Sequence, residues 1–120
     1  MPYADTDFFV ALSKSDDRLN KSAVLVYEKY KGRIYTSLTT LIELALIAKR
    51  LNKDAEGLVG GVLGIAKVEN VDNTKILLAA YLIKNKKIGV FDAFHAAFCN
   101  DEIISSDRVY DTVGIDRIPI

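Results

Sequence analysis

Residues 1–12 read MPYADTDFFVAL, a run in which two carboxylates, Asp5 and Asp7, interrupt side chains that are otherwise mostly apolar or small. A charge near a core is costly unless it is paired, hydrogen-bonded or bound to a cation. The stretch reads as a short strand, about Tyr3–Asp5, running straight into a buried helix through Phe8–Leu12, with Thr6 or Asp7 placed to cap it. That strand-to-helix step recurs along the chain. Asp16 or Asp17 heads a second helix in which Leu19, Ala23, Val26, Tyr27 and Tyr30 share one face, and Gly32 ends it. Arg33–Thr36 reads as the second strand and Thr39–Asn52 as a largely apolar third helix. Asp54 heads a glycine-rich fourth helix, EGLVGGVLG, and Ala66–Glu69 is the third strand. Asp72 or Asn73 starts a helix to about Lys84, Phe91–Cys99 is a further buried helix, Glu102–Ser105 a strand and Arg117–Ile120 an edge strand. Strands alternating with helices predict an α/β fold of three α/β/α layers around a parallel sheet of four to five strands.

The 120 residues are expected to form one domain, 1–120, with half of them hydrophobic and thus able to bury a core. No apolar run approaches the ~20 residues of a membrane-spanning helix, and no secretory signal is visible at the start. The single cysteine, Cys99, excludes an internal disulfide and fits a reducing cytoplasm. Sixteen basic residues balance sixteen acidic ones, so net charge neither favours nor excludes nucleic acid. EGLVGGVLG lacks the Gly-Lys-Ser/Thr ending of a phosphate-binding loop, which leaves close helix packing or a partner-facing helix.

Acids in apolar surroundings recur. Glu43 is the only charge in IYTSLTTLIELALIA (34–48), Asp92 the only fixed charge in IGVFDAFHAAFCN (88–100), and Asp107 follows the strand-like IISS. Asp5, Glu43, Asp92 and Asp107 all stand at a strand end or early in the next helix. In an open parallel sheet such positions converge on the crevice beyond the strands' carboxyl ends. Four carboxylates there repel one another unless a cation neutralises them. Oxygen ligands suit Mg²⁺ or Mn²⁺, and such a site suits metal-assisted attack of water on a phosphodiester.

The motifs resemble those of the PIN-domain nucleases, in particular the toxin subunits of VapBC-type toxin–antitoxin pairs. ADTDFFVAL is similar to the family's Asp-Thr-Asn/Asp/Ser start, SLTTLIEL to its Ser-x5-Glu-Leu helix, FDAFHAAFC to its Asp-Ala-x-x-Ala-Ala helix start, and IISSDRVYD to its final Ser/Thr-x-Asp strand end. The resemblance implies Asp5, Glu43, Asp92 and Asp107 as catalytic residues. It implies Asp5, Asp92 and Asp107 as ligands of Mg²⁺ or Mn²⁺, with Thr6, Asp7 and Ser105 in support. It further implies an RNA substrate, a homodimer and a small antitoxin protein laid along an apolar groove.

Each acid also has a structural reading. Thr40-Leu-Ile-Glu43 matches a capping box; Asp5, Asp7 and Asp92 suit caps, and Asp107 a turn beside Arg108. His95, one turn after Asp92, reads as a satisfied core histidine or as a group orienting a ligand. Cys99 reads as core. Lys49, Arg50, Lys53, Lys84, Lys86 and Lys87 read as solvated surface, some of which can track an RNA backbone. Two functional alternatives remain: an RNA-processing PIN nuclease without an antitoxin, and a receiver-like signalling domain phosphorylated on aspartate. The receiver reading lacks an isolated Asp after the third strand, AKVEN.

Overall fold

A computed structural model describes residues 1–120. Five strands form one sheet: β1 (Tyr3–Ala4), β2 (Tyr35–Thr36), β3 (Lys67–Val68), β4 (Glu102–Ile104) and β5 (Asp116–Ile118). Their order is β3-β2-β1-β4-β5, and every pairing is parallel. Six α-helices connect them: α1 (Thr6–Ser13), α2 (Asn20–Tyr30), α3 (Leu38–Arg50), α4 (Ala55–Ile65), α5 (Asn73–Lys86) and α6 (Val90–Phe98). A 3₁₀ turn, Arg108–Val113, joins β4 to β5.

Alternation along each strand builds two cores. Tyr3, Tyr35 and Ile103 face one way and pack with Ala79 and Leu82 of α5, Ala96 and Phe98 of α6, and Tyr110. Their neighbours Ala4, Ile34 and Ile104 face the other way and pack with Phe8, Ala23, Leu44 and Val62 from α1 to α4. Successive side chains of a strand point to opposite faces, so helices on both sides can bury them. The three-layer α/β/α expectation therefore holds, with five strands. A receiver-like domain has strand order 2-1-3-4-5, which sets β3 beside β1; here β2 lies between them.

Several helix starts differ from the sequence reading. Of the candidate caps Asp5, Thr6 and Asp7, it is Asp5 that caps α1. α2 begins at Asn20 without a side-chain cap, and Asp17 instead accepts from Leu19 N–H in the turn before it (2.8 Å). α3 begins at Leu38, and the N-cap Ser37 makes no capping bond because its hydroxyl lies against Tyr3 OH (2.7 Å). Asp54 and Asp72 cap α4 and α5 as expected. Gly32 leaves α2 with φ +79°, a conformation costly for a residue with a Cβ.

The close-packing explanation of the glycine-rich α4 fails. A Cβ built on Gly60, Gly61 or Gly64 meets nothing within 4 Å, and only Gly57 is crowded, by the capping carboxylate of Asp54 at 2.6 Å. Those three glycines leave open space along the helix.

Ile104 is wholly buried on β4, the neighbour of the central strand. Ile104→Ala is expected to lower the unfolding free energy by about 2–5 kcal/mol in chemical denaturation with an unchanged m-value. A loss under about 1 kcal/mol would show that β4 is not packed between the layers as described.

Candidate functional site

β1 ends at Ala4, and Asp5 N–H still donates to Ile104 O across the sheet (3.1 Å). The Asp5 carboxylate is thereby held at the carboxyl edge, only 6% exposed. It has about four lone-pair positions, and four polar groups meet it. Thr6 N–H (2.6 Å) and His95 Nε2 (3.1 Å) lie on Oδ1. Ser105 Oγ (2.9 Å) and Tyr110 OH (3.0 Å) donate to Oδ2. The two oxygens are not equivalent. Ser105 also reaches Asp7 Oδ2 (3.5 Å) and Tyr110 also reaches Asp92 Oδ1 (3.4 Å). Both donors on Oδ2 thus have a second acceptor, and Oδ2 can be released without orphaning either.

Glu43 lies within α3, and its Oε1 accepts from Thr6 Oγ1 (2.5 Å) and meets His95 Nε2 (2.9 Å). It makes no capping box: Thr40, buried, takes the hydroxyl of Thr36 instead (2.7 Å). Asp92, in the first turn of α6, does not cap that helix, which starts on Gly89. Asp107 does cap the 3₁₀ turn through Val109 N–H (2.9 Å), so its turn role and its place at the pocket coexist. Asp7 binds the β4 exit through Oδ2, which accepts from Ser106 N–H (2.9 Å) and Ser106 Oγ.

These residues line one cavity of about 320 Å³: Asp5, Thr6, Asp7, Glu43, Asp92 and Asp107, with Val10 and Ile47. All four acids singled out in the sequence are therefore neighbours, and Thr6, Asp7 and Ser105 touch them. Three polar side chains lie beneath them, and of these the sequence pointed only to His95, as a group that could orient a ligand. His95 is fully buried, bonded through Nδ1 to Tyr3 OH (2.8 Å) as well as facing the acids. It is a satisfied core histidine, as one reading had it, but what satisfies it is the acidic set. Tyr3 and Tyr110 belong to one of the two cores, and each turns its hydroxyl toward this region. The available signals were the i,i+3 spacing of Asp92 and His95 and the position of Tyr110 three residues after Asp107.

Burial pushes the Asp5 carboxyl up to about 6, with the Asp7 charge adding to it and His95 and the donors opposing. Asp92 is raised for the same first reason, burial, and then by the Asp107 charge. For Glu43 burial also acts upward, but hydrogen bonds from His95 and Thr6 outweigh it and leave the carboxyl below its usual range. The pocket thus holds acids that are partly desolvated and mutually repelling.

A divalent cation fits this donor set. Asp7 Oδ1 is buried with no hydrogen-bond partner, a state that buried oxygens avoid. Asp92 and Asp107 each keep one oxygen free of protein donors. Hard oxygens of this kind match Mg²⁺ or Mn²⁺. Oxygen or nitrogen atoms of Asp5, Glu43 and His95 also lie within 4.8 Å of one another.

Residues 3–114 match the family model described as PIN domain. No curated protein matches the sequence. Solved structures resemble the fold. One is VapC20 of Mycobacterium tuberculosis, described as a sarcin–ricin-loop-cleaving toxin, with TM-score 0.79 and 18% identity over 96% of each chain. Another is from a toxin–antitoxin complex of Klebsiella pneumoniae, with TM-score 0.71 and 20% identity, covering 98% of this chain and 96% of that one. A third is from VapBC2 of Rickettsia felis bound to a DNA fragment of its promoter, with TM-score 0.73 and 15% identity, covering 100% and 99%.

The raised Asp5 has a consequence for metal-free protein. Its folded value, about 6, exceeds the unfolded 3.8. The stabilising contribution of the protonated acid is therefore complete below about pH 4 and lost as pH rises through about 6, a change on the order of 3 kcal/mol. In EDTA at neutral pH, Asp5→Asn is expected to melt several degrees higher than the parent, because an uncharged amide still meets Thr6 and the two adaptable hydroxyls. Thermal scans across pH 4 to 7 check this. A variant that melts lower at every pH would show that the carboxylate is held for its hydrogen bonds alone.

Proposed function

This chain belongs to the PIN-domain family, and from that premise we propose that it is a metal-dependent endoribonuclease, the toxin of a toxin–antitoxin pair. The observation that carries the reading is the meeting of Asp5, Glu43, Asp92 and Asp107 in one cavity beside an unpartnered buried oxygen of Asp7. In this reading Asp5, Asp92 and Asp107 would hold Mg²⁺ or Mn²⁺, which when bound would supply a lowered pKa for water and stabilisation of charge on the phosphate. Glu43 presents its free Oε2 to the attacking water and orients it, while Thr6 and His95 hold Oε1 in place. Thr6 links Asp5 and Glu43, donating its N–H to the first and its hydroxyl to the second. Asp7 and Ser105 brace the β4 exit against β1.

An RNA path is supported by a second cleft that shares Val10 and Ile47 with the acidic cavity and is lined by Lys14 and Lys53. Basic side chains there suit phosphate contacts that weaken with salt. The antitoxin reading is supported by the open space along α4, where Phe9, Leu12, Leu58 and Gly61 line an apolar groove. The printed descriptions of the similar structures from K. pneumoniae and R. felis, both toxin–antitoxin assemblies, lend it weight. A homodimer is supported by exposed apolar residues of α3, α5 and α6, among them Leu38, Ile42, Leu77 and Val90. No helix is long and apolar enough to cross a membrane.

The expected outcome is cleavage of single-stranded RNA that needs Mg²⁺ or Mn²⁺ and stops in EDTA. Asp92→Asn and Asp107→Asn are each expected to slow it at least about a hundredfold, the scale of losing several kcal/mol of cation assistance, with melting curves that stay cooperative. Full activity in EDTA would refute the mechanism. For the partners, light scattering is expected to give twice the chain mass, and the product of an adjacent gene is expected to co-purify and suppress cleavage. A monomer that co-purifies with nothing would leave a ribonuclease without the toxin role.

A further inference from the structure

The surroundings of His95 decide where its ring proton sits. Nε2 has three polar neighbours: Glu43 Oε1 at 2.9 Å, Asp5 Oδ1 at 3.1 Å and Thr6 Oγ1 at 3.2 Å. Thr6 has one hydroxyl proton, and the much shorter contact with Glu43 (2.5 Å) takes it. Toward Nε2, Thr6 is left as an acceptor, and ionised carboxylates offer only lone pairs. An unprotonated Nε2 would face acceptors on every side in a buried pocket, an arrangement that costs the full desolvation of the group. The other side of the ring is adaptable. Nδ1 meets Tyr3 OH at 2.8 Å, and Tyr3 OH meets Ser37 Oγ at 2.7 Å. Hydroxyls donate or accept as needed, so this side imposes nothing on Nδ1.

We infer that His95 is a positioning residue of the acidic site: its Nε2–H is shared by Glu43 Oε1 and Asp5 Oδ1, ties those inner oxygens together, and leaves no lone pair on Nε2 for a cation. The closeness of Asp5, Glu43 and His95 then marks a hydrogen-bonded brace, not a three-ligand site. Cation binding falls to the outward oxygens, Asp5 Oδ2 with Asp92 and Asp107, a set made only of hard donors. This inference builds on the cation-site reading for its consequence, while the position of the proton stands on the contacts alone.

The chain has one histidine, so nitrogen NMR of the full protein with isotopically labelled imidazole gives a single pair of ring signals. At mildly alkaline pH in EDTA the proton is expected on Nε2, and it is expected to stay there when Mg²⁺ is added to saturation. An unprotonated Nε2 in the metal-free protein, or loss of its proton on adding Mg²⁺, would overturn the inference. Calorimetric titration with Mn²⁺ gives a second measure. His95→Leu is expected to bind Mn²⁺ about tenfold or more weakly than the parent, and His95→Gln, which keeps a donor, to recover part of that loss. Equal Mn²⁺ affinity in parent and His95→Leu would overturn the positioning role. A parent that binds no Mn²⁺ would instead remove the cation-site reading, and the position of the ring proton alone would then decide the inference.

Discussion

The carboxylate of Asp5 is the constraint around which this molecule is arranged. It stands at the end of the central strand, nearly closed off from water. A buried charge survives only when protein groups replace its hydration. The replacements come from four places: Thr6 at the start of α1, His95 from α6, Ser105 from the end of β4 and Tyr110 from the 3₁₀ turn. Elements separated by about a hundred residues are thereby referred to one point, and the cavity's geometry follows from their meeting.

The same demand explains choices elsewhere that look wasteful locally. Ser37 is well placed to cap α3, yet its hydroxyl is against Tyr3. Thr40 heads a Thr-x-x-Glu pattern, yet α3 starts before it at Leu38, so Thr40 pairs with Thr36 and Glu43 turns to the cavity. A cap contributes about 1 kcal/mol, while a buried acceptor left without a donor costs about 1–3 kcal/mol. The polar groups accordingly serve the buried acids first, and α3 starts without side-chain help. α4 and α5, remote from the acids, keep the ordinary aspartate caps.

Electrostatics and packing pull in opposite directions here, and the two cores resolve the conflict. Between them they bury nineteen side chains above and below the sheet, enough to hold strand ends carrying acids close together. Burial first, and then the like charges brought together this way, raise the free energy of the metal-free fold, and Asp5 and Asp92 register it as carboxyls displaced upward. Binding sites are commonly places where stability is given up for chemistry. An adaptable donor pair, Ser105 and Tyr110, each with a second acceptor, lets Asp5 Oδ2 exchange partners while Oδ1 stays anchored.

By itself the sequence determined the alternation of strands and helices, the buried character of each face and the four acids that have no business in apolar segments. These are local signals: period-2 and period-3.6 patterning, turn residues, and a charge whose neighbours are all apolar. The strand order, the caps and the partners of those acids were decided only by the tertiary structure. Asp5 and Asp7 were both credible caps from the sequence, and the choice of Asp5 depends on where β4 and the 3₁₀ turn place Ser106 and Tyr110. His95 and Tyr110 look like core residues in a linear reading because their surroundings are apolar and their acceptors lie up to 105 residues away. A hydrogen bond between distant residues leaves no periodic trace in the chain. It exists because parallel strands bring their carboxyl ends to one edge, and only the folded sheet does that.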